Sequence, residues 1–231
     1  MGESLKAGVI GLGILGSEYA RFFQQHPSVE VVAVADVRAE AAERVAAQVG
    51  AQAYTDYSEM LRRHALDLVA VATPDNLHRA PTMAALEAGV PNIIQEKPLA
   101  TTREDADAIY EAVEKHGARF YINFANRAAP MDIATHYVIQ KGLLGRVVHG
   151  ESRLDDNISV PLALWGSRSK EWAGGSSTAH FLLSHVVDLL RWYFAPAEVC
   201  EVFGLSLRLV LGFTPVVYDA VLVFCLGLKV R

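Results

Sequence analysis

Gly11-Leu12-Gly13-Ile14-Leu15-Gly16 is the stretch on which the fold turns. It follows the short apolar run Leu5–Ile10 and opens Ile14–Gln25, whose apolar residues recur at helical spacing. Gly11 allows a tight turn, Gly13 lets the backbone approach a pyrophosphate, and Gly16 permits close helix–strand packing. Dinucleotide phosphates then sit on the exposed N–H groups and positive dipole end of the helix, beside Ile14 and Leu15. Asp36 stands twenty residues after Gly16, at the end of the next apolar run, Val29–Ala35. A carboxylate there accepts hydrogen bonds from the adenosine ribose and repels a 2′-phosphate. The expectation is a Rossmann-type domain that holds NAD(H) in preference to NADP(H). Arg38 qualifies that preference, because a nearby arginine can accept a 2′-phosphate. Its expected place is against the adenine or in solvent.

Outward from this motif, apolar runs alternate with helical patterns. Ala39–Val49 reads as helix, Leu66–Ala72 as strand, Leu77–Ala88 as helix, Asn92–Gln95 as strand, Arg103–His116 as helix and Arg119–Ile122 as strand. Such alternation predicts a doubly wound parallel sheet covered by helices on both faces. Residues 1–122 are read as this domain and 123–231 as a second α/β domain. In the second, Asp132–Lys141 reads as helix, Arg146–Arg153 as strand, Trp165–Ser177 as loop and Thr178–Phe194 as helix. Glu198–Arg231 reads as β-strands joined by glycine-containing turns.

The balance of charge excludes several partners. The formal net charge is −5 and the charges are scattered, so neither nucleic acid nor an anionic membrane is expected. No uncharged stretch reaches the length of a membrane span. Lys6 precedes an apolar run that lacks a small-x-small cleavage site, and Lys6 also stands where a myristoylation signal needs Ser or Thr. A cytoplasmic location is therefore expected. Cys200 and Cys225 match no metal-ligand spacing and are read as buried thiols, and no metal site is expected.

Two further segments narrow the reading. Thr73-Pro74-Asp75-Asn76-Leu77-His78 follows the strand read at Leu66–Ala72, and Glu96-Lys97-Pro98-Leu99-Ala100 follows the one read at Asn92–Gln95. Both fall at carboxyl ends of parallel strands, where open α/β sheets bind ligands. Pro98 biases Lys97 towards an extended backbone. Together with Gly11–Gly16, Asn123-Phe124-Ala125-Asn126-Arg127, the turn Gly142-Leu143-Leu144-Gly145 and His185-Val186-Val187-Asp188, these segments resemble the glucose–fructose oxidoreductase/inositol dehydrogenase (Gfo/Idh/MocA) family. The likeness reaches about Phe194.

The resemblance implies an NAD-dependent oxidoreductase. Hydride would move between nicotinamide and the hydroxyl or carbonyl carbon of a sugar, cyclitol or related small molecule. It implies that Thr73, Pro74 and Glu96 lie along the cofactor, that Lys97 reaches nicotinamide ribose and substrate, and that His185 meets Lys97 over the nicotinamide. Arg127, Asp188, Lys97 and His185 are the substrate-binding candidates, and Lys97 and His185 the catalytic ones. His78 is read either as a cofactor contact or as a helix-start residue bonding the backbone. The family's second domain has an open, mostly antiparallel sheet that packs on another subunit, so a homo-oligomer through the C-terminal sheet is expected.

The chain also departs from the family pattern. Phe181 stands where the family carries an aspartate one turn before the histidine, and Leu183 replaces a common glycine. Asp188, on the same face as His185, is the candidate substitute for the missing carboxylate, whereas His180 points elsewhere. Family members run well past Arg231, so the chain is read as a fragment, an altered reading frame or a short relative. An incomplete sheet would leave an apolar edge and predicts self-association. The competing reading is a dinucleotide-binding sensor or interaction protein without turnover.

Overall fold

A computed structural model describes residues 4–152, 154, 175–177, 179–210 and 217–229, apart from the side chains of 200 and 202–229. The chain divides into two compact units, Met1–Asn123 and Phe124–Arg231.

The first unit is a six-stranded parallel sheet in the order β3-β2-β1-β4-β5-β6. Its strands are β1 (Leu5–Ile10), β2 (Val29–Ala35), β3 (Gln52–Tyr54), β4 (Leu68–Val71), β5 (Asn92–Glu96) and β6 (Arg119–Asn123). Five helices connect them: α1 (Ile14–Gln25), α2 (Ala39–Val49), α3 (Tyr57–Arg63), α4 (Arg79–Glu87) and α5 (Arg103–His116). Side chains alternate across each strand, and the core is accordingly split in two. Val69, Val71 and Ile93 pack with Met60, Leu61 and Leu86 on one face. Val9, Val34 and Ala70 pack with Leu12, Ala20 and Val45 on the other. Each large apolar side chain buried this way contributes about 1.5–3 kcal/mol.

Helix ends follow local chemistry. Thr102 caps α5 by accepting the Asp105 N–H at 3.1 Å, and Asp56 caps α3 by accepting from Ser58 at 2.8 Å. Gly50 and Gly117 close α2 and α5 in the left-handed conformation. β3 and α3 were not anticipated from the sequence. A three-residue strand and a seven-residue helix carry too little periodicity to stand out. The predicted helix over Leu77–Ala88 resolves into a 3₁₀ turn, Asp75–Leu77, followed by α4.

The second unit contains α6 (Pro130–Gln140), a π turn over Ala179–Leu183 that leads into α7 (Ser184–Phe194), and two long antiparallel strands, β7 (Glu198–Val210) and β8 (Val217–Lys229). The strand predicted at Arg146–Arg153 does not form over residues 146–152. No strand among the described residues pairs with it, and an unpaired strand leaves its backbone groups without partners. Trp165, Trp172 and most of the Trp165–Ser177 loop lie outside the described residues, as do the side chains of Cys200 and Cys225. No helix among the described residues is long and apolar enough to cross a membrane.

Candidate functional site

The carboxyl ends of β1, β2, β4 and β5 bring the predicted cofactor residues to one edge of the sheet. At the end of β1, Gly11 has φ +85° and Gly16 packs directly on it: a methyl group on Gly16 would lie 1.7 Å from the Gly11 carbonyl oxygen. The fold itself therefore requires both glycines. Gly13 differs. Its φ of −69° suits any residue, and a Cβ there would meet nothing within 4 Å. Nothing in the protein demands glycine at that position, whereas close approach of a pyrophosphate does. Ile14 and Leu15 keep their side chains exposed at the start of α1. The loop thus fits a dinucleotide.

At the end of β2, Asp36 is buried. Its Oδ2 accepts the Leu12 N–H at 2.8 Å, and its Oδ1 accepts the Arg38 N–H at 2.9 Å. Arg38 is exposed at its face but tethered at its edge. Its Nε and Nη2 donate to the Asp36 carboxylate at 3.0 and 3.2 Å. Burial alone would raise the Asp36 pKa, but the Arg38 side-chain bonds, both backbone donors and the guanidinium charge together hold it below the usual range. The stability contributed by this pairing is present above the unfolded aspartate pKa of about 3.9 and is lost as pH falls through the depressed folded value.

The ends of β4 and β5 hold the segments that define the resemblance. Lys97 is 8% exposed and follows Glu96, which is also buried; the Lys97–Pro98 peptide is cis. Glu96 Oε1 accepts from Tyr19 Oη and from Asn123 Nδ2, each at 2.7 Å, tying α1 and β6 to the end of β5. Burial and the Glu96 charge push the Tyr19 phenol well above its ordinary pKa, so it remains a donor. Thr73 Oγ1 donates to the Leu77 carbonyl at 3.2 Å.

His78 requires a correction. Its ring is 1% exposed, with Nδ1 2.8 Å from the Pro98 carbonyl oxygen and Nε2 3.0 Å from that of Thr73. Both polar atoms face the protein, which removes the cofactor-contact reading and leaves the backbone-bonding one. The sequence reading also missed Gln95 and Thr82. Thr82 Oγ1 donates to Gln95 Oε1 at 2.7 Å, and Gln95 Nε2 donates to the Leu99 carbonyl at 2.8 Å. The available signal was a glutamine inside an apolar strand, which must find partners when buried.

In the second unit, Arg127 and Asp188 meet each other. Arg127 Nε and Nη2 donate to the two carboxylate oxygens of Asp188 at 2.7 and 2.5 Å. The guanidinium also lies 5.8 Å from the Trp192 ring centroid. Arg127 is thus the ion partner of Asp188, a pairing the sequence reading did not anticipate. The pairing counts against direct substrate binding by Asp188, which is buried and already neutralised. His185 packs edge-on to Phe124, and the His180 Nδ1 lies 2.9 Å from Ser177 Oγ. Removing one partner of a buried pair costs about 3–5 kcal/mol. Because Arg127 is nearly half exposed, Arg127→Met is expected to cost less, about 1–3 kcal/mol. Arg127→Met/Asp188→Leu should recover part of that loss, as read by urea unfolding. A double variant less stable than the single one would exclude a stranded Asp188 charge as the cause. Among the described residues, no cluster of His, Cys, Asp and Glu could hold a metal.

Comparison with known proteins agrees with this geometry. Residues 5–124 match the model of the oxidoreductase family with an NAD-binding Rossmann fold. The chain is 32% identical over 198 residues to an inositol 2-dehydrogenase of Klebsiella pneumoniae, covering 82% of this chain and 54% of that protein. It is 29% identical over 200 residues to the levoglucosan dehydrogenase of Pseudarthrobacter phenanthrenivorans, covering 82% and 51%. The chain spans about half the length of the curated relatives it matches. In fold it is similar to the scyllo-inositol dehydrogenase of Lactobacillus casei, solved with NAD(H) and scyllo-inositol. The TM-score is 0.76 at 19% identity, over 89% of this chain and 60% of that one. With its glycine turn, its buried carboxylate and its strand-end lysine, the chain belongs to the Gfo/Idh/MocA oxidoreductase family, whose Rossmann fold binds NAD.

Proposed function

We propose that this protein oxidises a secondary hydroxyl of a sugar, cyclitol or related small molecule, with NAD⁺ as acceptor, or runs the reverse reduction. The observation that carries this reading is the strand-end Lys97, on the same edge of the sheet as a glycine turn whose middle residue, Gly13, is glycine for no reason internal to the fold. Bound NAD⁺ would supply the hydride acceptor and a positive ring near Lys97. A lysine, ordinarily near pKa 10.4, serves as a base only if burial or a neighbouring cation lowers that value. Lys97 would take the hydroxyl proton on Nζ as the substrate C–H bond gives up its hydride and the carbonyl forms. His185 would share that proton, and Thr73, Pro74 and Glu96 would line the cofactor. Its partners would be that substrate and a second copy of the chain, joined through the β7–β8 sheet.

The sensor reading is favoured by Phe181, which stands where the family carries an aspartate one turn before His185. A screen for NADH formation over inositols, sugars and anhydrosugars separates the two. Turnover of any of them supports the enzyme; tight NADH binding with no turnover across the screen favours the sensor.

Cofactor choice is a separate expectation. Asp36 should make NADH bind at least tenfold more tightly than NADPH, equivalent to about 1.4 kcal/mol. Asp36→Asn keeps an oxygen for the Leu12 N–H while releasing Arg38 from its ion pair. It should narrow the gap chiefly by improving NADPH binding. Equal dissociation constants in the parent protein would exclude this role for Asp36.

A further inference from the structure

Besides Lys97 itself, the two loops at the ends of β4 and β5 share a buried bridge that the proposed reaction does not use. His78 stands between the 3₁₀ turn and α4, and its ring spans the gap between the Thr73 and Pro98 carbonyl oxygens. Pro98 immediately follows Lys97, so one end of the bridge is a single residue from the lysine. Gln95 backs the ring. Its Nε2 lies 3.3 Å from His78 Nδ1 while donating to Leu99, and Thr82 on α4 fixes its Oε1. Thus β5, α4 and both loops converge on one imidazole, which is 1% exposed. Burial first, set against its carbonyl contacts and the charges of Asp75 and Glu96, lowers the ring's pKa. The neutral ring has one N–H; carried on Nδ1, it donates to the Pro98 carbonyl, and because His78 itself ends the loop after β4, that one bond joins the two loops.

We infer that His78 is a positioning residue: it clamps the loop carrying Lys97 to the loop after β4 and thereby fixes where the lysine amine stands. This rests on the proposed role of Lys97 for its effect on rate, but the clamp has a readout that needs no turnover. A misplacement of about 1 Å can cost on the order of 10² in rate, so loss of the clamp should appear in kcat more than in cofactor binding.

The test compares the parent chain with His78→Leu and His78→Gln. Lys97 acylation by an N-hydroxysuccinimide ester is followed by mass spectrometry, alongside NADH affinity and thermal unfolding. In folded His78→Leu, acylation of Lys97 should accelerate roughly tenfold, which corresponds to about 1.4 kcal/mol, with NADH affinity nearly unchanged. A glutamine at the same place offers N–H donors to the carbonyls and should return the rate towards that of the parent. Where a substrate is turned over, kcat of His78→Leu should drop while the KM for NAD⁺ stays close to the parent value. Unchanged Lys97 reactivity in folded His78→Leu overturns the clamp, whatever happens to kcat. If His78→Leu does not fold, Thr82→Val, which releases Gln95, carries the test by the same acylation readout. A parent that turns over nothing removes the proposed reaction while leaving the reactivity comparison valid.

Discussion

Gly16→Ala is expected to destabilise the first unit strongly and not merely to weaken its ligand. The added methyl would stand 1.7 Å from the Gly11 carbonyl oxygen and 2.8 Å from its carbon. Both are backbone atoms, so no side chain can rotate aside. Gly11 is itself packed against the loop after β4: a Cβ added to it would stand 2.7 Å from the Ala72 carbonyl oxygen. Overpacking a core costs about 1–3 kcal/mol where side chains can adjust. Here β1 and the loop after β4 would have to separate, so the cost should reach or pass the top of that range. That is a large share of a total stability of about 5–15 kcal/mol. Gly13→Ala, which meets no atom, should leave the unfolding midpoint unchanged while weakening NADH binding at least tenfold, about 1.4 kcal/mol. Urea unfolding and NADH fluorescence titration read the two quantities separately. A Gly16→Ala protein with the parent's midpoint, or a Gly13→Ala protein with the parent's NADH affinity, would contradict this division of labour.

Lys97→Ala should remove most turnover and spare the cofactor. A positioned acid/base is worth about 10²–10⁴ in rate. The phosphate cradle and Asp36 belong to other strand ends, so the NADH dissociation constant should stay close to that of the parent. Lys97→Met serves as the packing control, because it keeps much of the apolar stem of a side chain that is 8% exposed. His185→Ala should cost less than Lys97→Ala. Phe181 stands where the family carries an aspartate one turn before that histidine. If Lys97→Met turned over substrate at the parent rate, the lysine would be excluded as the proton acceptor.

The sheet was legible because its strands are continuous apolar runs and its first turn is spelled in glycine. The starts and ends of β1, α1, β2 and α2 follow from that pattern alone. What escaped were features whose cause is non-local. β3 is a strand because it pairs with Ala33, Val34 and Ala35 of β2, not because Gln52-Ala53-Tyr54 has β character. His78 was legible as a polar residue near a ligand rim, but its two carbonyl partners lie five and twenty residues away in opposite directions. No spacing rule links them. Asp188 shows the same limit. Its position on the helix face beside His185 was correct, but its ion partner lies on another segment, 61 residues earlier.

The position of β1 at the middle of the sheet has a consequence for synthesis. Its β2 edge pairs locally, Leu5 with Val29, but its β4 edge pairs Ala7 with Leu68 and Ile10 with Val71. The contact that closes that edge, from the Lys6 N–H to Asp67 Oδ2 at 2.8 Å, spans 61 residues. A ribosome adds about 5–20 residues per second, so a nascent chain that has paired β1, β2 and β3 waits on the order of a second for β4. During that interval it offers the open backbone of its most buried strand to whatever it meets. Strand edges of this kind are templates for mispairing. Slowing translation between Tyr54 and Val71 would lengthen this exposure without altering one atom of the finished protein.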